Sequence, residues 1–105
     1  MAHVVFIETP TFTKRVVELM DDESYRELQS HLAAHPEAGD LIRGTGGMRK
    51  IRWAGSGRGK RGGLRVIYYW WTAADRISML LVYPKSEQDE LSPVQVKLLR
   101  NILKG

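Results

Sequence analysis

The chain contains no cysteine. That excludes a disulfide framework, a thiolate nucleophile and any zinc site built on sulfur, and it fits a reducing cytosol. Long apolar runs are also missing. The longest, VIYYWWTAA from Val66 to Ala74, falls far short of the roughly 20 residues a membrane-spanning helix needs. The N-terminal MAHVVFIETPTF has neither a basic n-region nor an apolar h-region, so no secretion signal is expected and a cytoplasmic protein is. The last scarcity is local. Between Leu41 and Ala74 there is no Asp or Glu but eight Lys and Arg, so this segment carries +8 and the remainder −4, for a net charge of +4. Positive charge focused in this way is the electrostatic footprint of a polyanion binder, most often of nucleic acid.

A length of 105 residues predicts a single domain over residues 1–105 with one core. HVVFIE (His3–Glu8), rich in β-branched residues, predicts a first strand. Thr11 is placed to cap a short helix running to about Met20, with Phe12, Val16, Leu19 and Met20 on one face. Asp21 and Asp22 begin a second helix with Tyr25, Leu28 and Leu32 as its apolar stripe, stopped by His35-Pro36. Two consecutive helices with acidic punctuation predict a helical hairpin.

Period-two patterning follows. Met48–Ala54, Leu64–Trp71 and Ile77–Tyr83 are expected strands. The first places Lys50 and Arg52 on one face and Arg49, Ile51 and Trp53 on the other. The second is apolar or aromatic on both faces, which predicts a central, doubly covered strand. Strict alternation on the third puts Met79, Leu81 and Tyr83 together. Ser92 and Pro93 open a last helix. The expected fold class is α+β, in the order β-α-α-β-β-β-α. Its sheet is twisted and mostly antiparallel, packed by the helical hairpin and the C-terminal helix.

Eight of the ten glycines lie between Gly44 and Arg65, in GTGGMRKIRWAGSGRGKRGGLR. No G-x-x-x-x-G-K-[ST] occurs there and no helix follows the glycines, so a nucleotide-cradling loop is not supported. A solvated hairpin loop, GSGRGKRGG, is the plain alternative. The favoured reading includes the strand cations as well. Lys50 and Arg52 project together from one strand and Arg65 from its partner, close enough to meet one phosphate. The glycines allow a nucleic-acid backbone to approach closely.

These same residues resemble the HigB branch of the RelE-like toxins of bacterial toxin–antitoxin pairs. The pattern is a GTGG-x-RK-x-R strand, a GKRGG-x-R-x-IYY strand and a Y-x-K-x-E turn before the last helix, all present in order; VFIET-x-x-F and the helical hairpin extend it over nearly the whole chain. The resemblance implies the RelE/ParE-type α+β fold and cleavage of mRNA on the ribosome without a metal or other cofactor. It also implies a helix-turn-helix antitoxin (HigA-like) as partner, with the ribosome, its mRNA and its RNA as the other contacts. Two readings of different class stay open: a ParE-like toxin of this fold acting on DNA gyrase, and a non-catalytic RNA-binding module.

RNA cleavage through the ribose 2′-OH needs a proton acceptor, charge stabilisation at the phosphate and help for the leaving 5′-oxygen. Lys50, beside Arg49 and Arg52, is the candidate base, because like charges disfavour its charged form. Arg52 and Arg65 are the candidate phosphate clamp; by motif position these three match the cationic residues of the RelE site. Tyr83 and Lys85 are candidates for transition-state charge and for proton donation or base stacking. Arg49, Arg58, Lys60 and Arg61 are candidate RNA contacts. Relative to RelE toxins, Ser86 replaces an arginine and no tyrosine follows near the last helix. Glu87 is expected to pair with Lys85.

His31 and His35, spaced four apart, lack the glutamate of H-E-x-x-H and a third ligand, so a solvated pair is expected rather than zinc. Tyr68 and Trp70 are expected in the core, while Tyr69 and Trp71 share Arg65's face.

Overall fold

Pro10, preset for the first helical position, leaves Thr9 as the cap: its Oγ1 accepts from the Phe12 N–H, and helix α1 spans Pro10–Leu19. The expected cap, Thr11, instead lies within the first turn. This computed structural model describes residues 3–54 and 63–105. Strand β1 is Val5–Glu8. Helix α2, Asp22–Ala34, is capped as expected by Asp21, whose carboxylate accepts from the Ser24 N–H. Then come β2 (Asp40–Leu41), β3 (Arg49–Trp53), β4 (Leu64–Trp71) and β5 (Arg76–Pro84). Helix α3, Pro93–Lys104, opens with a reciprocal capping box between Ser92 and Gln95. The order therefore gains a strand, the two-residue β2, too short to leave a pattern in the sequence.

The five strands form one sheet in the order β1-β5-β4-β3-β2, with only β1·β5 parallel. β4 is central, as its two-sided apolar pattern required. One face, carrying Ile51, Leu64, Val66, Tyr68, Ile77, Met79 and Val82, packs under α1 and α2. On the other, Met48, Ile67, Leu80 and Tyr83 pack with Leu99 of α3. The sheet is thus sandwiched, with the helical hairpin and α3 on opposite sides.

Strict alternation fails on β5. Ile67 pairs with Leu81 but Tyr68 pairs with Met79, so Leu80 is the extra residue of a β-bulge. Ile77 and Met79 face the helical hairpin, while Leu81 and Tyr83, of the same parity, face α3. The expected grouping of Met79 with Leu81 and Tyr83 is corrected accordingly. Thr9, itself buried, donates its hydroxyl to the Leu80 carbonyl at 2.9 Å. One side chain therefore caps α1 and satisfies the bulge.

Thr9→Val keeps the shape but removes both bonds. Losing a cap costs about 1 kcal/mol, and stranding a buried carbonyl costs about 1–3 kcal/mol more. Urea unfolding should show a loss of roughly 2–4 kcal/mol with an unchanged m-value.

Candidate active site

The turn at Thr45 positions β3. Thr45 Oγ1 donates to the Ile42 carbonyl at 2.6 Å and accepts from the Met48 N–H at 3.1 Å. Gly47, at φ +118° and with the Tyr69 ring 3.0 Å from any added Cβ, admits no side chain. From this turn β3 enters in register with β4: Lys50 opposite Ile67 and Arg52 opposite Arg65. Arg65 in turn lies opposite Tyr83 on β5. Arg52, Arg65 and Tyr83 therefore form a row across three adjacent strands on the α3 face, with Lys50 two residues along.

Arg52 is exposed, but Arg65 is 3% and Tyr83 2% exposed. What covers them is the connection from β5 to α3. Lys50 Nζ donates to the Asp89 carbonyl at 3.3 Å and the Tyr83 hydroxyl donates to the same oxygen at 3.4 Å. The Asp89 carboxylate, with its side chain 68% exposed, lies 3.9 Å from Arg65 Nε. Burial holds the Tyr83 hydroxyl above its ordinary pKa, reinforced by Asp89 and opposed by Arg65. The covering turn is tied at both ends. Gln88 and Gln95 exchange amide hydrogen bonds. Arg15 of α1 grips both Glu87 carboxylate oxygens, at 3.0 and 3.4 Å. Glu87 thus pairs with Arg15 rather than with Lys85 as expected.

An open cleft is lined by Lys50, Arg52, Arg65, Asp89 and Glu90 and, around the β3 edge, by Asp40, Ala38 and His31, with Tyr83 buried beneath Asp89. Lys50, Arg52 and Arg65 are brought together there as expected. Lys85 is not; it lines a separate groove with Ser86, Gly63 and the end of α1. Arg49 turns to the other face and donates to the carbonyls of Glu37 (3.1 Å) and Gly39 (2.8 Å). It braces the loop entering β2, so only Arg52 of the two flanking arginines shares Lys50's face. Arg58, Lys60 and Arg61 lie outside the described residues. Tyr69 and Trp71 share Arg65's face, but Trp71 is six residues along β4, about 20 Å away. Trp71 donates to Ser78 there and lies beneath the Arg76 guanidinium. Among the described residues no three His, Asp or Glu gather as metal ligands.

Asp89 and His31 are the site residues that sequence reasoning missed. For Asp89 a signal existed: an acidic pair in a short connection that leaves the sheet beside Tyr83 and must turn back to α3. For His31, the location of α2's last turn over β3 is purely tertiary.

Tyr68 secures the near wall. Its hydroxyl donates to the Pro36 carbonyl at 2.7 Å and accepts from the Gly39 N–H at 2.8 Å. A Cβ at Gly39 would meet the Tyr68 ring at 2.9 Å and the Lys50 carbonyl at 3.0 Å.

No protein-family model matches the sequence. Among solved structures, the fold is similar to that of the isolated Escherichia coli RelE toxin, with TM-score 0.61 and 17% identity. That match covers 95% of this chain and 99% of that one. It is also similar to a chain of the archaeal RelE–RelB complex from Pyrococcus horikoshii OT3, with TM-score 0.55 and 21% identity, covering 83% of this chain and 100% of that one.

Gly39→Ala is expected to lower stability by about 1–3 kcal/mol, the usual cost of overpacking, measured by thermal or urea unfolding. Alkaline pH supplies a second check. Tyr25, buried against the Glu8 carboxylate, as well as Tyr68 and Tyr83, all hold their protons more tightly than an exposed tyrosine, in each case chiefly through burial. Above about pH 10 the unfolded chain binds fewer phenolic protons than the folded one, so stability falls as pH rises. The melting temperature should hold steady up to about pH 10 and then drop, less steeply in Tyr25→Phe. These elements, in this order and with this sheet, give the chain the fold of the RelE toxins.

Proposed function

We propose that the protein is a HigB-like toxin of a toxin–antitoxin pair that cleaves mRNA on the ribosome, without a metal, and is neutralised by a helix-turn-helix antitoxin. The observation that carries this reading is the row Arg52–Arg65–Tyr83 with Lys50 beside it. Two arginines directly opposite each other on paired strands destabilise the sheet, and an anion between them offsets that cost. The GTGG, RK-x-R and GKRGG-x-R motifs and the RelE fold support an mRNA phosphodiester as that anion. RelB, the partner in the archaeal complex, is the precedent for an antitoxin.

Chemically, Lys50 accepts the proton of the ribose 2′-OH as its oxygen attacks phosphorus. Arg52 and Arg65 hold the non-bridging oxygens as negative charge builds on them. Tyr83, kept protonated by burial, gives its proton to the 5′-oxygen as the P–O bond breaks. The products are a 2′,3′-cyclic phosphate and a 5′-hydroxyl. The Asp89 carboxylate stands beside Arg65 where the phosphate binds, so substrate takes its place and Asp89 moves out to solvent.

Lys50→Ala, Arg52→Ala and Tyr83→Phe should each lower ribosome-dependent cleavage by about 100-fold or more and relieve growth arrest, with circular dichroism unchanged. Mapping mRNA 5′ ends after induction is the decisive measurement. Cuts within codons on translated messages are expected. Gyrase-linked DNA breaks without such cuts would point instead to a ParE-like action, and neither would leave a non-catalytic RNA binder.

A further inference from the structure

β2 pairs only with Arg49 and Lys50, so beyond Lys50 the outer edge of β3 is unpaired among the described residues. The cleft that holds Lys50, Arg52 and Arg65 on one face of the sheet continues round this edge to His31 in the last turn of α2. The His31 ring leans on the Trp53 ring, centroids 5.7 Å apart and planes tilted by 40°, and on the His35 ring at 5.5 Å and 50°. Trp53 is half-buried against the core, whereas His31 is exposed. Its imidazole makes no hydrogen bond with any described residue. Zinc does not account for the histidine pair, since no third ligand stands near it among the described residues.

We propose that His31, backed by Trp53, is a base-stacking ledge that receives the nucleobase next to the phosphate held by Arg52 and Arg65. The proposal rests on the reading of the cleft as an RNA site. Arg52 and Trp53 are consecutive on β3 and point to opposite faces. A single-stranded RNA crossing the open edge between them keeps its phosphate on the arginine side and lays a base on the ring side. A planar, exposed ring braced by its tilted contact with Trp53 suits any base, because every base offers a π-face. The cationic row alone binds any phosphodiester, folded or not. The ledge adds a requirement for an unstacked base and so selects single-stranded RNA.

The test uses the full chain and two trinucleotides with 2′-O-methyl riboses, which cannot be cleaved; one bears three bases and the other is abasic at its central position. NMR titration reports weak binding and locates it. The base-bearing oligonucleotide should bind roughly 10-fold more tightly than the abasic one and shift the Trp53 indole and His31 ring signals, which the abasic one leaves in place. In His31→Ala the difference should shrink below two-fold with abasic affinity unchanged, and His31→Phe should restore it. Discrimination surviving in His31→Ala, or an equal loss for both oligonucleotides, overturns the ledge while leaving the RNA site intact. Failure of both oligonucleotides to perturb Lys50 and Arg52 overturns the RNA reading itself, and the ledge with it.

Discussion

The meeting of Tyr83 with Arg65 depends on one irregularity of β5, the bulge at Leu80. Were the strand regular, Tyr83 would face the helical hairpin with Ile77 and Met79, and Arg65 would have no hydroxyl beside it. The extra residue moves Leu81 and Tyr83 to the α3 face and aligns Tyr83 with Arg65 across the strand pair. A bulge leaves a carbonyl outside the ladder, and a buried orphan of that kind is costly. Thr9 meets it with the same hydroxyl oxygen that caps α1. The start of the first helix and the geometry of the last strand are thus one problem with one solution. This is why the TP pair (Thr9-Pro10) stands where it does: proline fixes the helix start, and the residue before it reaches across to β5.

The bulge was invisible in the sequence because Leu80 and Leu81 are both apolar and satisfy either face. What was legible came from residues whose demands are local or two-sided. Asp21 and Ser92 announce their helices through capping chemistry alone. LRVIYYWW, with few polar positions on either face, could only be a strand covered on both sides. The shared face of Lys50, Arg52 and Arg65 followed from strand parity and held, as did the opposite placement of Arg49. The bonds of Arg49 to the carbonyls of Glu37 and Gly39 make it a brace for the cleft wall. The burial of Arg65 and the cover over it were not legible. They arise from how the 85–92 connection folds back, which is set by pairings from Glu87 to Arg15 and from Gln88 to Gln95, groups remote in sequence or alike in chemistry.

That cover settles how a charge is kept in the central strand. A buried guanidinium without compensation would cost several kcal/mol by ordinary estimates. Here a long contact to the Asp89 carboxylate at 3.9 Å and a bond to the Leu64 carbonyl at 3.3 Å are part of the compensation. Meanwhile Arg52 sits directly opposite with the same charge. A pair with optimal distances on every donor would be a structural ion pair, and it would resist any substrate. The Asp89 carboxylate is exposed and meets Arg65 only at long range, while the Asp89 carbonyl holds the turn through Lys50 and Tyr83. The arrangement buries Arg65 while its contact with the Asp89 carboxylate stays long.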